Sequence, residues 1–271
     1  MVEHPACRGV SVRFRAVESR FLRSVFDRSG CVMDNDQKLT VFQAQVENVR
    51  ALESSIQQVR RSINSALRRN DASLSNSFTK VYAILFCAWA EANFSKVIHT
   101  PYGFSLDEIE HIWAKKSKGI SAAWKKAAKL GVRHLDARRG SFLPNTLRTL
   151  SRAIDAHVFD PTLVRNKLAH GQWIVALNRP NDAIQDQLTD TIRELDIVKV
   201  DSWRFCHQHL AEMVESLIES PKKAFVRDWW GAVINLDAEM ERSSQRNLAD
   251  HLARLRSKND RTGARDKRVH S

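Results

Sequence analysis

No glycine or proline stands between Gly30 and Pro101, and the whole 271-residue chain holds only nine Gly and six Pro. These residues are the strongest local breakers of regular structure, so their scarcity favours long helices over many short strands. The apolar spacing agrees. Val41, Ala44, Val49, Leu52, Ile56, Val59, Ile63 and Leu67 recur at the helical period, which predicts one long helix from Asp36 to Arg69, broken at Asn70 and Asp71. A second helix is expected from about Leu74 to Ile98. Its centre, Tyr82 to Trp89, is apolar on nearly all sides and belongs in the interior. After a turn at Thr100 to Gly103, Ser105 starts a third helix, with Glu108 completing a capping box.

Further along, Ser121 to Leu130 reads as a short helix closed by Gly131. Residues 131–145 read as a basic loop carrying His134, Arg138 and Arg139, and Asn145 caps a helix through about Val158. Asp160-Pro161 signals another helix start, with Asp at the cap and Pro at the first helical position. That helix runs through Arg165, Asn166 and His170 and stops at Gly171. Gln172 to Leu177 reads as extended, Asn178 to Asp182 as a turn, and Ala183 to Leu195 as helical. Ile197 to Val200 reads as a short strand turn, after which Asp201 caps a helix to Glu219, ended by Pro221. A last helix is expected from Lys223 to Leu255. The outcome is an all-α domain over residues 34–255, followed by a disordered basic tail at 256–271.

Residues 1–33 are left outside this fold. Their Arg-rich, amphipathic stretch Val10 to Phe26 has the look of an organelle transit peptide. The reading preferred here is that the native start is Met33, because the capped helical pattern begins only after it.

The net charge of +12 invites a polyanion partner, but its distribution tempers that reading. Residues 1–33 hold six Arg against three acids, and residues 254–271 hold seven Lys/Arg against two acids, leaving four of the twelve net charges for the middle. The four Cys (Cys7, Cys31, Cys87 and Cys206) are scattered without a Cys-x-x-Cys pair. That argues against a disulfide framework or zinc site and fits a reducing cytoplasm. The longest apolar run, Val81 to Ala90, is far short of the ~20 residues a membrane span needs, so no membrane partner is expected.

The string Arg165-Asn-Lys-Leu-Ala-His-Gly-Gln-Trp173 is the most specific feature of the chain. Arg five places before His is cheap by itself: Arg152/His157, Arg204/His209, Arg246/His251 and Arg265/His270 share the spacing. Only Arg165/His170 combines it with a short helix of defined start and a Gly stop. In that form, and with two long helices ahead of it, the chain resembles the HEPN superfamily, in the motif form of bacterial defence and toxin proteins. The likeness spans roughly residues 36–245 and is specific at 163–173. The resemblance implies an all-α HEPN-like bundle with additional helices. It also implies a metal-independent endoribonuclease that leaves a 2′,3′-cyclic phosphate, acting as a toxin or antiviral effector. One HEPN branch carries a modifiable Tyr two residues after the His; this chain has Gln172 there, so that regulation is not carried over.

The chemistry asks for few groups. A base removes the 2′ proton, the oxygen attacks phosphorus, an acid protonates the leaving 5′-oxygen, and a fixed cation offsets the charge on the phosphoryl oxygens. His170 is the proton-transfer candidate and Arg165 the cation, its fork suited to phosphate. Asn166, four residues before His170, is placed to hydrogen-bond the ring or the phosphate. One His does not readily serve as both acid and base, and the resemblance implies a homodimer whose motif helices face each other. Arg138 and Arg139 would track the RNA backbone, and Glu91 and Asn93 on the second helix are supporting candidates. No cofactor and no metal is implied; His207 and His209, two apart on a helix, point in different directions. The partners implied are RNA, preferably single-stranded, a second copy and a cognate antitoxin. The alternative is a catalytically inactive HEPN module that holds RNA or a nucleotide or scaffolds a complex.

Overall fold

The computed structural model describes residues 33–135 and 141–257. Among the described residues the fold is carried by the helices α1 (Asn35–Arg68), α2 (Ala72–Ile98), α3 (Leu106–Lys116), α4 (Ile120–Arg133), α5 (Phe142–Ile154), α6 (Asp160–Ala169), α7 (Asp186–Arg193), α8 (Ile197–Glu219) and α9 (Ala224–Gln245). Among the described residues the only β pairing is an isolated bridge between Leu177 and Ile184. Residues 1–32 and 258–271 lie outside the described residues, and with them nearly all of the expected N-terminal segment and basic tail.

Two helices organise the core. α1 lies along α2, and α8 packs on α2 and α9. One apolar cluster joins the C-terminal part of α2 to α3, α4, α5, α8 and α9, around Phe94, Trp124 and Leu217. A second joins the N-terminal part of α2 to α1, α6, α7 and the start of α8, around Ile63, Phe86 and Leu168. Shared by both, α2 is buried on nearly all sides, as its composition predicts. By length and composition alone it could cross a bilayer, and 56% of its most apolar window is buried inside the bundle, as a core helix requires.

Local signals explain several boundaries. Asp71 caps α2, its carboxylate accepting from the Leu74 N–H at 2.9 Å. Ser105 and Glu108 form the expected capping box, with Ser105 N–H donating to Glu108 at 2.9 Å and Glu108 N–H to Ser105 Oγ at 3.3 Å. Cys87 and Cys206 are buried free thiols, which burial pushes up to about 12 and about 11.

Four expectations are corrected. Gly131 does not close α4; it lies inside that helix and is buried. A Cβ there would meet Leu217 Cδ2 at 2.9 Å and Leu217 Cγ at 3.0 Å, so the missing side chain is what lets α4 approach α8. Gly131→Ala is therefore expected to destabilise the fold by about 1–3 kcal/mol despite its better helix propensity. A rise in thermal stability on that substitution would refute the close-approach argument.

Ile197 to Val200 is not a strand turn but the first turn of α8. Its β-branched run looks extended in sequence, yet Asp196 caps it, accepting from the Lys199 N–H at 2.8 Å, and Ile197, Val198 and Val200 are buried in the core. Asp201, expected as that cap, instead accepts from Arg60 at 2.7 Å and from the Tyr82 hydroxyl at 2.6 Å, tying α8 to α1 and α2.

The last helix breaks at Arg246–Asn247, and residues 248–257 are helical again. There His251 meets Asn64 Oδ1 of α1 at 2.8 Å, so it is not on a freely exposed face.

The fourth correction concerns α5 and α6. Asn145 sits inside α5 rather than capping it, and α6 begins at Asp160 without a break or a side-chain cap, so Asp160 is not an N-cap. The rod is continuous through a widened π turn at Asp155–Phe159, where the Asp160 N–H reaches back to the Asp155 carbonyl. Pro161 accounts for the widening. It has no N–H, and in a regular helix its ring would collide with the carbonyl four residues earlier, that of His157.

Candidate nuclease motif

The motif helix α6 ends in a complete C-terminal cap. His170 is the C-cap residue and Gly171 follows with φ +78, a left-handed conformation that costs glycine nothing. The Gln172 N–H donates to the Lys167 carbonyl at 2.9 Å and the Gly171 N–H to the Leu168 carbonyl at 3.2 Å, which is the Schellman arrangement. The following loop is strapped to the same helix end. Trp173 Nε1 donates to the Leu168 carbonyl at 2.9 Å, the Leu177 N–H donates to Gln172 Oε1 at 2.8 Å, and Lys167 Nζ donates to the Leu177 carbonyl. His170 is thus presented from a fixed backbone. Its ring is exposed and has no hydrogen-bond partner among the described residues.

Arg165 is held by two neighbours. Its Nη1 donates to Asn166 Oδ1 at 3.1 Å, and its Nη2 pairs with Glu91 of α2 at 3.4 Å. The second oxygen of Glu91 faces Lys116 of α3 at 3.5 Å. The side chains of Arg165 and Glu91 remain 37% and 36% exposed, so the pair adds at most ~1 kcal/mol of stability and its consequence is orientation.

The expected candidates therefore divide. Arg165, Asn166 and Glu91 come together, and among the described residues His170 joins them only through its backbone N–H, which donates to the Asn166 carbonyl at 3.2 Å. Of the two partners expected for Asn166, the His170 ring or a phosphate, the ring is not met: Asn166 Oδ1 accepts from Arg165, and His170 leaves helical geometry at φ −94, ψ 18. Asn93 stands apart from this group. It is buried two residues beyond Glu91, about 200° around the helix, and does not line the pocket beside Arg165. Arg138 and Arg139 lie outside the described residues. Among the described residues no three His, Cys, Asp or Glu side chains are grouped to hold a metal ion.

Behind Arg165 lies a small pocket. It is bounded by α2, α4, the π turn, α6 and α8, with Glu91 and Arg165 on one side and Trp124, His157 and His207 among its lining. His207 is 1% exposed, and its ring lies 5.9 Å from that of Phe86 and 5.6 Å from those of Trp89 and Trp124. Its Nδ1 donates to the His157 carbonyl at 3.4 Å, the carbonyl that Pro161 leaves free. Burial holds both imidazoles down at about 4, well below the usual 6.5, so both are neutral at pH 7. The sequence signal was Pro161 four residues after His157, which marks a carbonyl in need of an outside donor. Compared with known protein families, with characterised proteins and with solved structures, the chain has no match.

Proposed function

We propose that this chain is a HEPN-type endoribonuclease that cuts single-stranded RNA without a metal, with His170 transferring protons, Arg165 offsetting phosphoryl charge, and Asn166 and Glu91 positioning Arg165. The observation that carries the reading is an exposed stripe along one face of the rod: Phe159, Leu163, Asn166 and His170, spaced four, three and four residues apart and all exposed. Phe159 is 46% and Leu163 38% exposed, an apolar pair beside the proton-transfer candidate.

A second copy covering this stripe would bury both apolar side chains. A two-fold axis near its C-terminal end brings two His170 into one cleft. One neutral imidazole then takes the 2′ proton as the 2′-oxygen attacks phosphorus. The protonated one gives its proton to the 5′-oxygen as the P–O5′ bond breaks, leaving a 2′,3′-cyclic phosphate and a 5′-hydroxyl. The half-exposed guanidinium of Arg165 can exchange Glu91 for a phosphoryl oxygen as negative charge grows there.

The test is incubation of the purified chain with unstructured RNA in excess EDTA. Cleavage with 2′,3′-cyclic phosphate ends is the expected result, and intact RNA under these conditions sinks the nuclease reading. RNA binding without cleavage, unchanged by His170→Ala, would mark a non-catalytic module instead. A role as toxin or antiviral effector with a cognate antitoxin rests on the motif's resemblance alone.

A further inference from the structure

Lining the pocket behind Arg165 are three residues with a ring nitrogen that is buried and has no partner among the described residues: His157 Nε2, His207 Nε2 and Trp124 Nε1. All three residues line the same space, and each is at least nine-tenths buried, at 7%, 1% and 0% exposure. Buried polar atoms left unpaired are expensive, and three around one cavity are not explained by packing.

The protonation pattern follows from the contacts. A carbonyl can only accept, so His207 Nδ1 carries the hydrogen it donates to His157 O. In a neutral ring its Nε2 then presents a lone pair. Trp124 Nε1 can only donate. An occupant must therefore give a hydrogen bond to His207 and receive one from Trp124. A metal cation meets the indole N–H and an anion meets the lone pair, so each finds one favourable partner and one unfavourable one. Size decides the rest: the cavity is about 20 Å³, above the ~10–15 Å³ that one water needs and far below the room for a nucleobase.

We propose that this cavity is a binding site for one neutral, water-sized molecule, a water that donates to His207 Nε2 and accepts from Trp124 Nε1, with His157 Nε2 as its third partner. The site joins α4, α8 and the π turn, and so fixes the root of the motif helix from behind. It does not depend on the nuclease reading.

The test has two arms. A crystal structure of the full chain at about 1.5 Å is expected to show a single ordered peak about 2.7–3.2 Å from His207 Nε2 and Trp124 Nε1. A featureless cavity, or density too large for one water, overturns the proposal. His207→Phe keeps an aromatic ring in place but removes the Nε2 acceptor, along with the Nδ1 donor to the His157 carbonyl. Loss of the peak from the map of this variant is the expected result. A peak unchanged in place and height overturns the assignment. Should that variant fail to fold, the wild-type map alone decides.

Discussion

Replacing His170 by alanine is expected to lower RNA cleavage by about 10²–10⁴-fold, the usual contribution of a positioned proton-transfer group. Stability should move by no more than about 0.5 kcal/mol, as for an exposed surface change. The separation of the two effects follows from the cap. The imidazole is exposed and bonded to nothing among the described residues, while the backbone beneath it is held by Gly171, Gln172 and Trp173. Cleavage rates and thermal melts of the same preparation check both halves. Wild-type rates in His170→Ala would remove the residue from the chemistry. Arg165→Lys is the informative companion, because it keeps the charge but loses the fork that spans Asn166 and Glu91. Its expected loss is about 10²-fold, since a lysine ammonium cannot hold both neighbours and meet a phosphoryl oxygen in one geometry.

Acidification is expected to destabilise the fold well before most carboxylates titrate. His157 and His207 ionise near 6.5 when unfolded but are held at about 4 in the folded chain. Between those values the unfolded chain binds protons that the folded chain does not, so stability is complete above pH 6.5 and is lost as pH falls toward 4. At pH 4.5 each imidazole costs about 2–3 kcal/mol relative to pH 7, and the two together rival the lower end of the total stability of a domain. Burial also lowers His99 and His251, which adds in the same direction. Urea unfolding at pH 7 and pH 4.5 measures the effect. A midpoint that stays constant across that interval would show that these rings are open to bulk solvent or already charged in the folded state.

Much of this architecture is legible in the amino-acid order because it is set locally. The long helices, the capping box at Ser105 and Glu108, and the stop at Gly171 each depend on residues within one or two turns. What the order conceals depends on distant partners. Nothing near Glu91 announces Arg165, and nothing near Gly131 announces Leu217. Ile197 to Val200 carries a β-branched signature that burial and the Asp196 cap override. Pro161 misleads because proline suits a helix start and a widened turn equally well; only the His157 carbonyl, taken by His207, distinguishes them. The site divides along the same line. Arg165, Asn166 and His170 are visible as a string, whereas the grip of Glu91 on Arg165 and the buried imidazole pair emerge only when remote helices meet.

The widened turn between α5 and α6 also sets a rotational phase. One residue more than a regular turn needs shifts everything after it by about 100° around the rod axis. Deleting a single residue from Asp155–Phe159 would wind that offset out and swing Leu163, Asn166 and His170 a quarter-turn or more toward a different neighbour. Length in this five-residue segment is therefore under tighter geometric constraint than its composition, and a tolerated substitution there says nothing about a tolerated deletion.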